Sequence, residues 1–239
     1  VEGVDWELEI GALTEIVSSM PESPLLLFDK IKGYPPGYRV ASNIYTTQRR
    51  IALAYGLPLE AKGIHLVRAL REKTKGSVRL IPPVEVKTGP IKENIYTGDD
   101  VDLFMFPTPK WHEHDGGRYI GTGTMTITRD PDQGWVNLGA YRVEIHDKVT
   151  ATVSMAQGQH GDIMRRKYWA KGQPCLAAVV CGQEPMMFAA AQFEVPWGTS
   201  EYDYAGGLKG KPVEVTRGVF TELPVPATAE IVLEGELLP

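Results

Sequence analysis

The fold of this chain is decided by a central stretch that alternates small or apolar residues with threonine, Ile120-Gly121-Thr122-Gly123-Thr124-Met125-Thr126-Ile127-Thr128. Successive side chains of a strand point to opposite sides, so the threonines share one face and the pattern predicts one strand over residues 120–128. Such a hydroxyl row is typical of a solvent-facing strand. It also fits a polar-lined mouth that receives a ligand, where Gly121, Gly123 and Gly139 would let the ligand approach the backbone.

Further period-two patterns follow this stretch, and helical patterns precede it. Strands are predicted at residues 136–145, 149–155, 176–180, 213–219 and 230–237. Upstream, the spacing of apolar residues predicts helices at residues 10–20, 47–56 and 58–73 and a short strand at 25–28. We therefore predict an α+β protein with a small N-terminal α/β domain, residues 1–94, and an antiparallel split β-barrel domain, residues 95–239.

Composition narrows the class of protein. The 239 residues carry 25 Lys and Arg against 30 Asp and Glu, a net charge of −5, which disfavours nucleic acid as a partner. The sequence has no apolar run near the ~20 residues of a membrane span and no basic leader, so a cytoplasmic location is predicted. Cys175 and Cys181 lie in a Val/Ala-rich run and are interpreted as small buried residues. The missing initiator Met and a strand pattern that stops at Pro239 suggest a fragment.

The common nucleotide-binding and nucleophile motifs are absent from the sequence. His112, His114 and Asp115 could bind a transition metal, which leaves a metal hydrolase as one alternative. Their position between proline and glycine pairs is more typical of an exposed loop.

A second possible metal set is spread along the chain. Asn137 lies in a predicted strand, His160 follows the next strand, and Glu201 opens a predicted helix. An amide oxygen, an imidazole and a carboxylate form a mixed set that suits Mn²⁺ or Mg²⁺ beside a phosphate. The spacing alone is not a motif, and each residue also has an ordinary structural interpretation, Glu201 for example as a first-turn charge.

Several blocks of sequence resemble the UbiD family of prenylated-FMN decarboxylases. They are Asn137-Leu138-Gly139-Ala140-Tyr141-Arg142, Ser200-Glu201-Tyr202-Asp203-Tyr204-Ala205-Gly206 and Ala229-Glu230-Ile231-Val232-Leu233-Glu234-Gly235, with Asp115-Gly116-Gly117 and Gly98-Asp99-Asp100-Val101-Asp102-Leu103 before them. Their order and spacing also agree, so the resemblance runs through nearly the entire chain. It implies that residues 95–239 form the prenylated-FMN-binding domain.

The resemblance implies specific site residues. Asn137, His160 and Glu201 would bind the Mn²⁺ (or Mg²⁺) that anchors the cofactor phosphate, and a potassium ion would lie near Trp135 and Glu201. Arg142 would be catalytic and pair with the substrate carboxylate. The cofactor-binding residues would be Ala140, Tyr141, Arg142, Ser154, Met155, Ala156, Gln159 and His160. Asn137 and Arg142 are five residues apart and would face opposite sides of an ideal strand, so we expect a bulge at Gly139.

The implied activity is reversible, non-oxidative decarboxylation of an aromatic or α,β-unsaturated acid. The family's acid/base carboxylates follow the block that ends at Gly235, together with a dimerisation domain, so we expect these 239 residues alone not to turn over. The implied partners are the acid substrate, CO2 and a flavin prenyltransferase as cofactor source, and the full-length protein is expected to be a homo-oligomer. A non-catalytic FMN-binding split-barrel module remains the second alternative.

Overall fold

The computed structural model describes residues 1–75 and 78–239 and confirms the predicted α+β class. The α-helices of the described residues are α1 (Glu9–Ser18), α2 (Gln48–Ala54), α3 (Ile64–Thr74), α4 (His160–Ala170), α5 (Pro185–Ala190) and α6 (Glu201–Lys209). The strands are β1 (Leu26–Phe28), β2 (Val40–Ser42), β3 (Val84–Glu85), β4 (Arg118–Gly121), β5 (Met125–Arg129), β6 (Val136–Gly139), β7 (Arg142–Ile145), β8 (Ala151–Ser154), β9 (Cys175–Cys181), β10 (Glu214–Arg217), β11 (Pro224–Pro226) and β12 (Ile231–Leu237).

Local chemistry explains the helix bounds in the first part of the chain. Helix α2 begins where the Thr47 side chain accepts the Arg50 backbone N–H at 3.3 Å, and the chain turns away at Gly56, which has φ 58°. The helix predicted from residue 58 is wrong at its start. Residues 58–63 form turns, with Gly63 at φ 52°, and α3 begins only at Ile64.

One compact unit comprises residues 1–69, 96–122 and 143–153. It contains the β1–β2 pair and most of the sheet β4-β7-β8, over a core of five buried side chains, Val4, Ile10, Leu26, Phe28 and Ile31. The Arg118 guanidinium lies 4.0 Å from the centre of the Trp6 ring and donates hydrogen bonds to Tyr34 and to the Thr108 carbonyl. Arg118 thereby ties β4 to the N-terminal segment.

The other compact unit comprises residues 70–95, 123–142 and 154–239. It holds the four-stranded antiparallel sheet β12-β9-β5-β6 and the three-stranded sheet β11-β10-β3. The largest core cluster packs here and includes Met125, Ile127, Leu138, Val180 and Tyr202. Both cysteines are buried in β9 and unpaired, as interpreted from the sequence.

Two long strands predicted from the sequence are each interrupted. Residues 120–128 form the end of β4 and most of β5, separated at residues 122–124, and residues 136–145 form β6 and β7, separated at Ala140 and Tyr141. In both places the chain passes from one sheet to another. The bulge predicted at Gly139 is therefore wrong, because the strand ends there and the Tyr141 ring occupies the space beside Gly139.

The predicted solvent-facing hydroxyl row is also wrong, because strand β5 lies between β9 and β6 and is buried on both faces. Thr124, Thr126 and Thr128 are buried, and the Thr128 hydroxyl lies 3.2 Å from the Met164 sulfur of helix α4. The remaining predicted strands are present in shortened or extended form. We keep the domain boundary at residues 94 and 95 and the split barrel as proposals.

No helix among the described residues is both long and apolar enough to cross a membrane.

Candidate cation and cofactor site

Glu201 is a buried carboxylate at the start of helix α6. The Ser200 side chain caps this helix by accepting the Tyr202 backbone N–H at 3.3 Å, which places Glu201 in its first turn. Glu201 is only 3% exposed, and its Oε2 accepts the Leu138 backbone N–H at 2.6 Å. Burial raises the pKa of the Glu201 carboxyl to about 7, against the lowering effect of that hydrogen bond.

Asn137 is the residue before Leu138, whose backbone N–H donates to Glu201. The structure thus brings these two predicted residues together. Its side chain is buried in β6, and its amide nitrogen lies 3.5 Å from the Thr128 hydroxyl on the paired strand β5. An amide whose nitrogen faces a hydroxyl keeps its oxygen free as an acceptor. Asn137 can therefore offer Oδ1 to a cation beside the Glu201 carboxylate.

His160 is the first residue of helix α4, which the sequence did not predict, and its ring is held by two indoles. Its imidazole centre lies 5.5 Å from that of Trp135 and 5.1 Å from that of Trp197, and the rings are nearly perpendicular. Burial lowers the pKa of His160, although the nearby Glu194 carboxylate acts in the opposite direction. The ring is thus kept in the neutral form that binds metals.

Tyr141 connects the strand that carries Asn137 to the helix that carries His160. The buried Tyr141 hydroxyl accepts the Gly161 backbone N–H at 3.2 Å and also hydrogen-bonds to the Asn137 side chain. Glu201 is close enough to act electrostatically on the same hydroxyl. Tyr141 therefore touches Asn137 and the first turn of helix α4, the turn that begins at His160.

The other residues implied as cofactor contacts lie on exposed or turning backbone. Ser154 ends β8, and the Ala156 backbone N–H donates to the Gln159 side chain at 2.7 Å, which closes the turn before α4. The Ala140 N–H is already used by the Ala191 carbonyl at 3.1 Å. Met155 is buried, so its side chain packs rather than faces solvent. Their contacts with a flavin stay a prediction.

Arg142, the implied catalytic residue, is the exposed first residue of β7. Val143 and Ile145 are buried, whereas Arg142 is exposed and Glu144 is partly exposed, as expected for a strand with one covered face. An exposed guanidinium is free to receive a carboxylate from solution. Its role in substrate binding stays a prediction.

Helix α4 is fixed by charged pairs between its own residues and with Asp130. The buried Asp162 carboxylate accepts hydrogen bonds from Arg165 at 2.7 Å and from Arg166 at 2.9 Å. Buried Asp130 binds Lys167 at 2.6 Å, and the same ammonium lies 4.9 Å from the centre of the Trp197 ring. The spacing of Asp162 to its two arginines is a helical signal that could have predicted α4.

The loop with His112 and His114 gives no support to the hydrolase alternative. Both histidines are exposed, and the His112 Nδ1 lies 3.6 Å from Asp115. Within residues 1–75 and 78–239, no three His, Cys, Asp or Glu side chains are grouped so that they could hold a metal ion. The set built on Asn137 contains only two residues of those types and depends on an amide as its third donor.

The donor set around Tyr141 fits a divalent cation. Glu201 is a buried carboxylate, and no positively charged side chain of the described residues contributes to its pKa. A buried carboxylate without a cationic partner is costly, and a bound cation removes that cost. The chemistry of amide oxygen, neutral imidazole and carboxylate suits Mn²⁺ or Mg²⁺.

Comparison with known proteins places the chain in a class. Residues 83–239 match the family model described as 3-octaprenyl-4-hydroxybenzoate carboxy-lyase Rift-related domain, and residues 1–70 match the N-terminal domain of the same carboxy-lyase. The fold and these matches define the class as carboxy-lyase domains. Within that class, the chain belongs to the UbiD family.

Individual relatives agree with this assignment. Pyrrole-2-carboxylic acid decarboxylase of Pseudomonas aeruginosa is 37% identical over 241 residues, which cover 98% of this chain and 48% of that protein. The vanillic acid decarboxylase of Sedimentibacter hydroxybenzoicus in its closed form matches with TM-score 0.89 and 29% identity, over 99% of this chain and 50% of the other. An evolved dimeric form of the UbiD-class enzyme HmfF from Pelotomaculum thermopropionicum, in complex with prFMN, matches with TM-score 0.86 and 28% identity. The match covers 100% of this chain and 53% of that one. The chain thus spans about half the length of the relatives it matches.

Proposed function

We propose that the protein carrying this chain reversibly decarboxylates an aromatic or α,β-unsaturated carboxylic acid, and that this chain supplies the prenylated-FMN-binding and metal-binding residues. The observation that carries the proposal is the meeting of Asn137, Glu201 and the first turn of helix α4 around one buried tyrosine, in a chain of the UbiD family. The relatives' names support the reaction class, because they act on pyrrole-2-carboxylic and vanillic acids.

In this proposal, Asn137, His160 and Glu201 hold Mn²⁺ or Mg²⁺, which neutralises the cofactor phosphate. A potassium ion binds near Trp135 and Glu201. Prenylated FMN, when bound, supplies the electron sink for the carbon that loses CO2, which no side chain can provide. HmfF was solved with prFMN and also with FMN, which supports a flavin for this fold.

Arg142 holds the substrate carboxylate. Its planar guanidinium can form two parallel charge-assisted hydrogen bonds with a carboxylate, and a lysine ammonium cannot reproduce that geometry. The exposed position of Arg142 at the first residue of β7 allows this contact. We further propose that a flavin prenyltransferase supplies the cofactor, and that the full-length protein is a cytoplasmic homo-oligomer.

The first experiment identifies the cofactor. The full-length protein is coexpressed with a flavin prenyltransferase, and the absorbance and mass of the small molecule that copurifies are measured. Prenylated FMN retained together with Mn²⁺ supports the proposal. Plain FMN with a stable oxidised spectrum, and no change on adding the prenylated cofactor or Mn²⁺, would instead identify the non-catalytic FMN-binding module.

The second experiment tests the role of Arg142. CO2 release from pyrrole-2-carboxylate, vanillate and 3,4-dihydroxybenzoate is compared for wild type, Arg142→Lys and the control Arg129→Lys, whose arginine is exposed at the end of β5. We expect Arg142→Lys to lose about 10²-fold in turnover, since misplacing a carboxylate by about 1 Å has this effect. Near-normal turnover of Arg142→Lys would contradict the assigned role.

A further inference from the structure

Tyr141 fills a space that two glycines leave open. A Cβ at Gly139 would lie 2.2 Å from the Tyr141 ring carbon Cζ, and a Cβ at Gly161 would lie 2.9 Å from the Tyr141 hydroxyl oxygen. Both distances are shorter than real Cβ contacts allow. The ring of Tyr141 can therefore sit between strand β6 and helix α4 only because both of these positions lack a side chain.

The hydroxyl of Tyr141 bonds to two elements that carry proposed metal ligands, strand β6 and helix α4. It accepts the backbone N–H of Gly161, the residue after His160, at 3.2 Å. It also hydrogen-bonds to the Asn137 side chain. One hydroxyl thus sets the distance between the first turn of α4 and the amide in β6.

The same contacts fix which way the Asn137 amide points. Its Nδ2 lies 3.5 Å from the Thr128 hydroxyl, which in turn lies 3.2 Å from the Met164 sulfur. The hydroxyls of Thr128 and Tyr141 are two buried partners for one amide group. With the nitrogen donating toward both hydroxyls, the oxygen Oδ1 is left for a cation.

We propose that Tyr141 is a positioning residue of the cation site, which orients the Asn137 amide and the helix turn bearing His160 through its hydroxyl, with Thr128 as the second hydroxyl that fixes the amide. This assignment rests on the proposed function. It gives Tyr141 a task different from the flavin contact that the family resemblance implies. Outer-shell hydrogen bonds of this kind change metal affinity by about 10–100-fold when they are removed.

The test uses Tyr141→Phe, which keeps the ring between the two glycines and removes only the hydroxyl. The matched control is Tyr202→Phe, because Tyr202 is also buried and its hydroxyl donates to the Pro224 carbonyl at 2.7 Å. Mn²⁺ is titrated into the metal-free full-length protein in buffer with FMN. Free Mn²⁺ is quantified by electron paramagnetic resonance, and the melting temperature of each variant is measured without metal.

We expect Tyr141→Phe to weaken Mn²⁺ binding by about tenfold or more. Tyr202→Phe should leave the Mn²⁺ affinity unchanged, although it lowers the melting temperature about as much as Tyr141→Phe does. Thr128→Val should weaken Mn²⁺ binding in the same direction, and Thr128→Ser, which restores the hydroxyl, should recover most of the affinity. A second readout is the resonance line shape of bound Mn²⁺, which should broaden in Tyr141→Phe as the ligand geometry loosens.

The outcomes separate this inference from the proposed function. If Glu201→Gln abolishes Mn²⁺ binding while Tyr141→Phe and Thr128→Val bind like wild type, the positioning role is overturned and the cation site stands. If Tyr202→Phe weakens Mn²⁺ binding as much as Tyr141→Phe does, the loss of affinity reflects general destabilisation, and the positioning role is again overturned. If the wild type binds no Mn²⁺, both the inference and the proposed cation site fail.

Discussion

The buried Glu201 carboxylate should destabilise the metal-free protein at neutral and alkaline pH. Its pKa is about 7 in the folded chain, against 4.5 for an ordinary glutamate, because burial disfavours the charged form. The folded state therefore holds this proton more tightly than the unfolded state does. The contribution of the neutral carboxyl to stability is complete below pH 4.5, and it is lost as the pH rises to about 7.

The size of the effect follows from the pKa difference. Each pKa unit corresponds to about 1.36 kcal/mol, so the rise from 4.5 to about 7 corresponds to about 3 kcal/mol of unfolding free energy. Glu201→Gln is always neutral and keeps an oxygen that can accept the Leu138 N–H. We expect Glu201→Gln to be more stable than the metal-free wild type by about 3 kcal/mol at pH 8 and nearly equal to it below pH 4.5.

Urea unfolding of both proteins at several pH values measures this difference, and Glu214→Gln, an exposed glutamate in the same compact unit, is the control. Mn²⁺ at about 100 times its Kd should stabilise the wild type at pH 8 by about 2.7 kcal/mol and leave Glu201→Gln unchanged. A Glu201→Gln protein that is less stable than metal-free wild type at pH 8 would refute the reasoning.

Three further perturbations test the frame around the site. Asp162→Asn breaks the pairs of buried Asp162 with two arginines and should lower the unfolding free energy by about 3 kcal/mol at pH 7. Burial raises the Asp162 pKa, but the two arginines lower it further, so their contribution in the wild type is present above pH 3.8 and is lost as the pH falls through the folded pKa. Urea unfolding that does not depend on pH would contradict this. Arg118→Met removes the guanidinium over Trp6 and should lower the unfolding free energy by about 2 kcal/mol. The near-ultraviolet circular dichroism signal should weaken, and an unchanged spectrum would count against the contact. Trp197→Leu exposes His160 to water and should raise its pKa toward 6.5 in a metal-free NMR titration, whereas a further fall would show that burial is not the cause.

Much of the fold could be predicted because it depends on local patterns. Helix α6 was predicted to open at Glu201, and strand β9 was predicted within its Val/Ala-rich run. The burial of Cys175 and Cys181 followed from the same run. These elements carry their own start signals or lie wholly in one sheet.

The breaks in the long strands could not be predicted, because a period of two residues does not say which sheet a strand joins. Residues on either side of Ala140 and Tyr141 alternate well, yet β6 pairs with β5 and β7 pairs with β4. The break depends on the Tyr141 ring lying over Gly139, a contact between residues two apart that no pattern of hydrophobicity records.

The candidate site was predicted from family resemblance, and its supporting residues were not. Glu201 accepts the N–H of Leu138, the residue after Asn137, across 63 residues of sequence, and the spacing of residues cannot indicate this pairing. Helix α4 was not predicted, although the spacing of Asp162 to Arg165 and Arg166 indicates a helix. Its position is set by long-range contacts such as that between Lys167 and Asp130.

The most direct test of the cation and cofactor site is a crystal structure of the full-length protein loaded with prenylated FMN and Mn²⁺, with diffraction recorded at the manganese absorption edge. We expect one anomalous peak within about 2.5 Å of Asn137 Oδ1, a His160 nitrogen and a Glu201 carboxylate oxygen, with the cofactor phosphate on its open side. A manganese peak elsewhere, or a flavin phosphate bound with no ion between it and Glu201, would contradict the account.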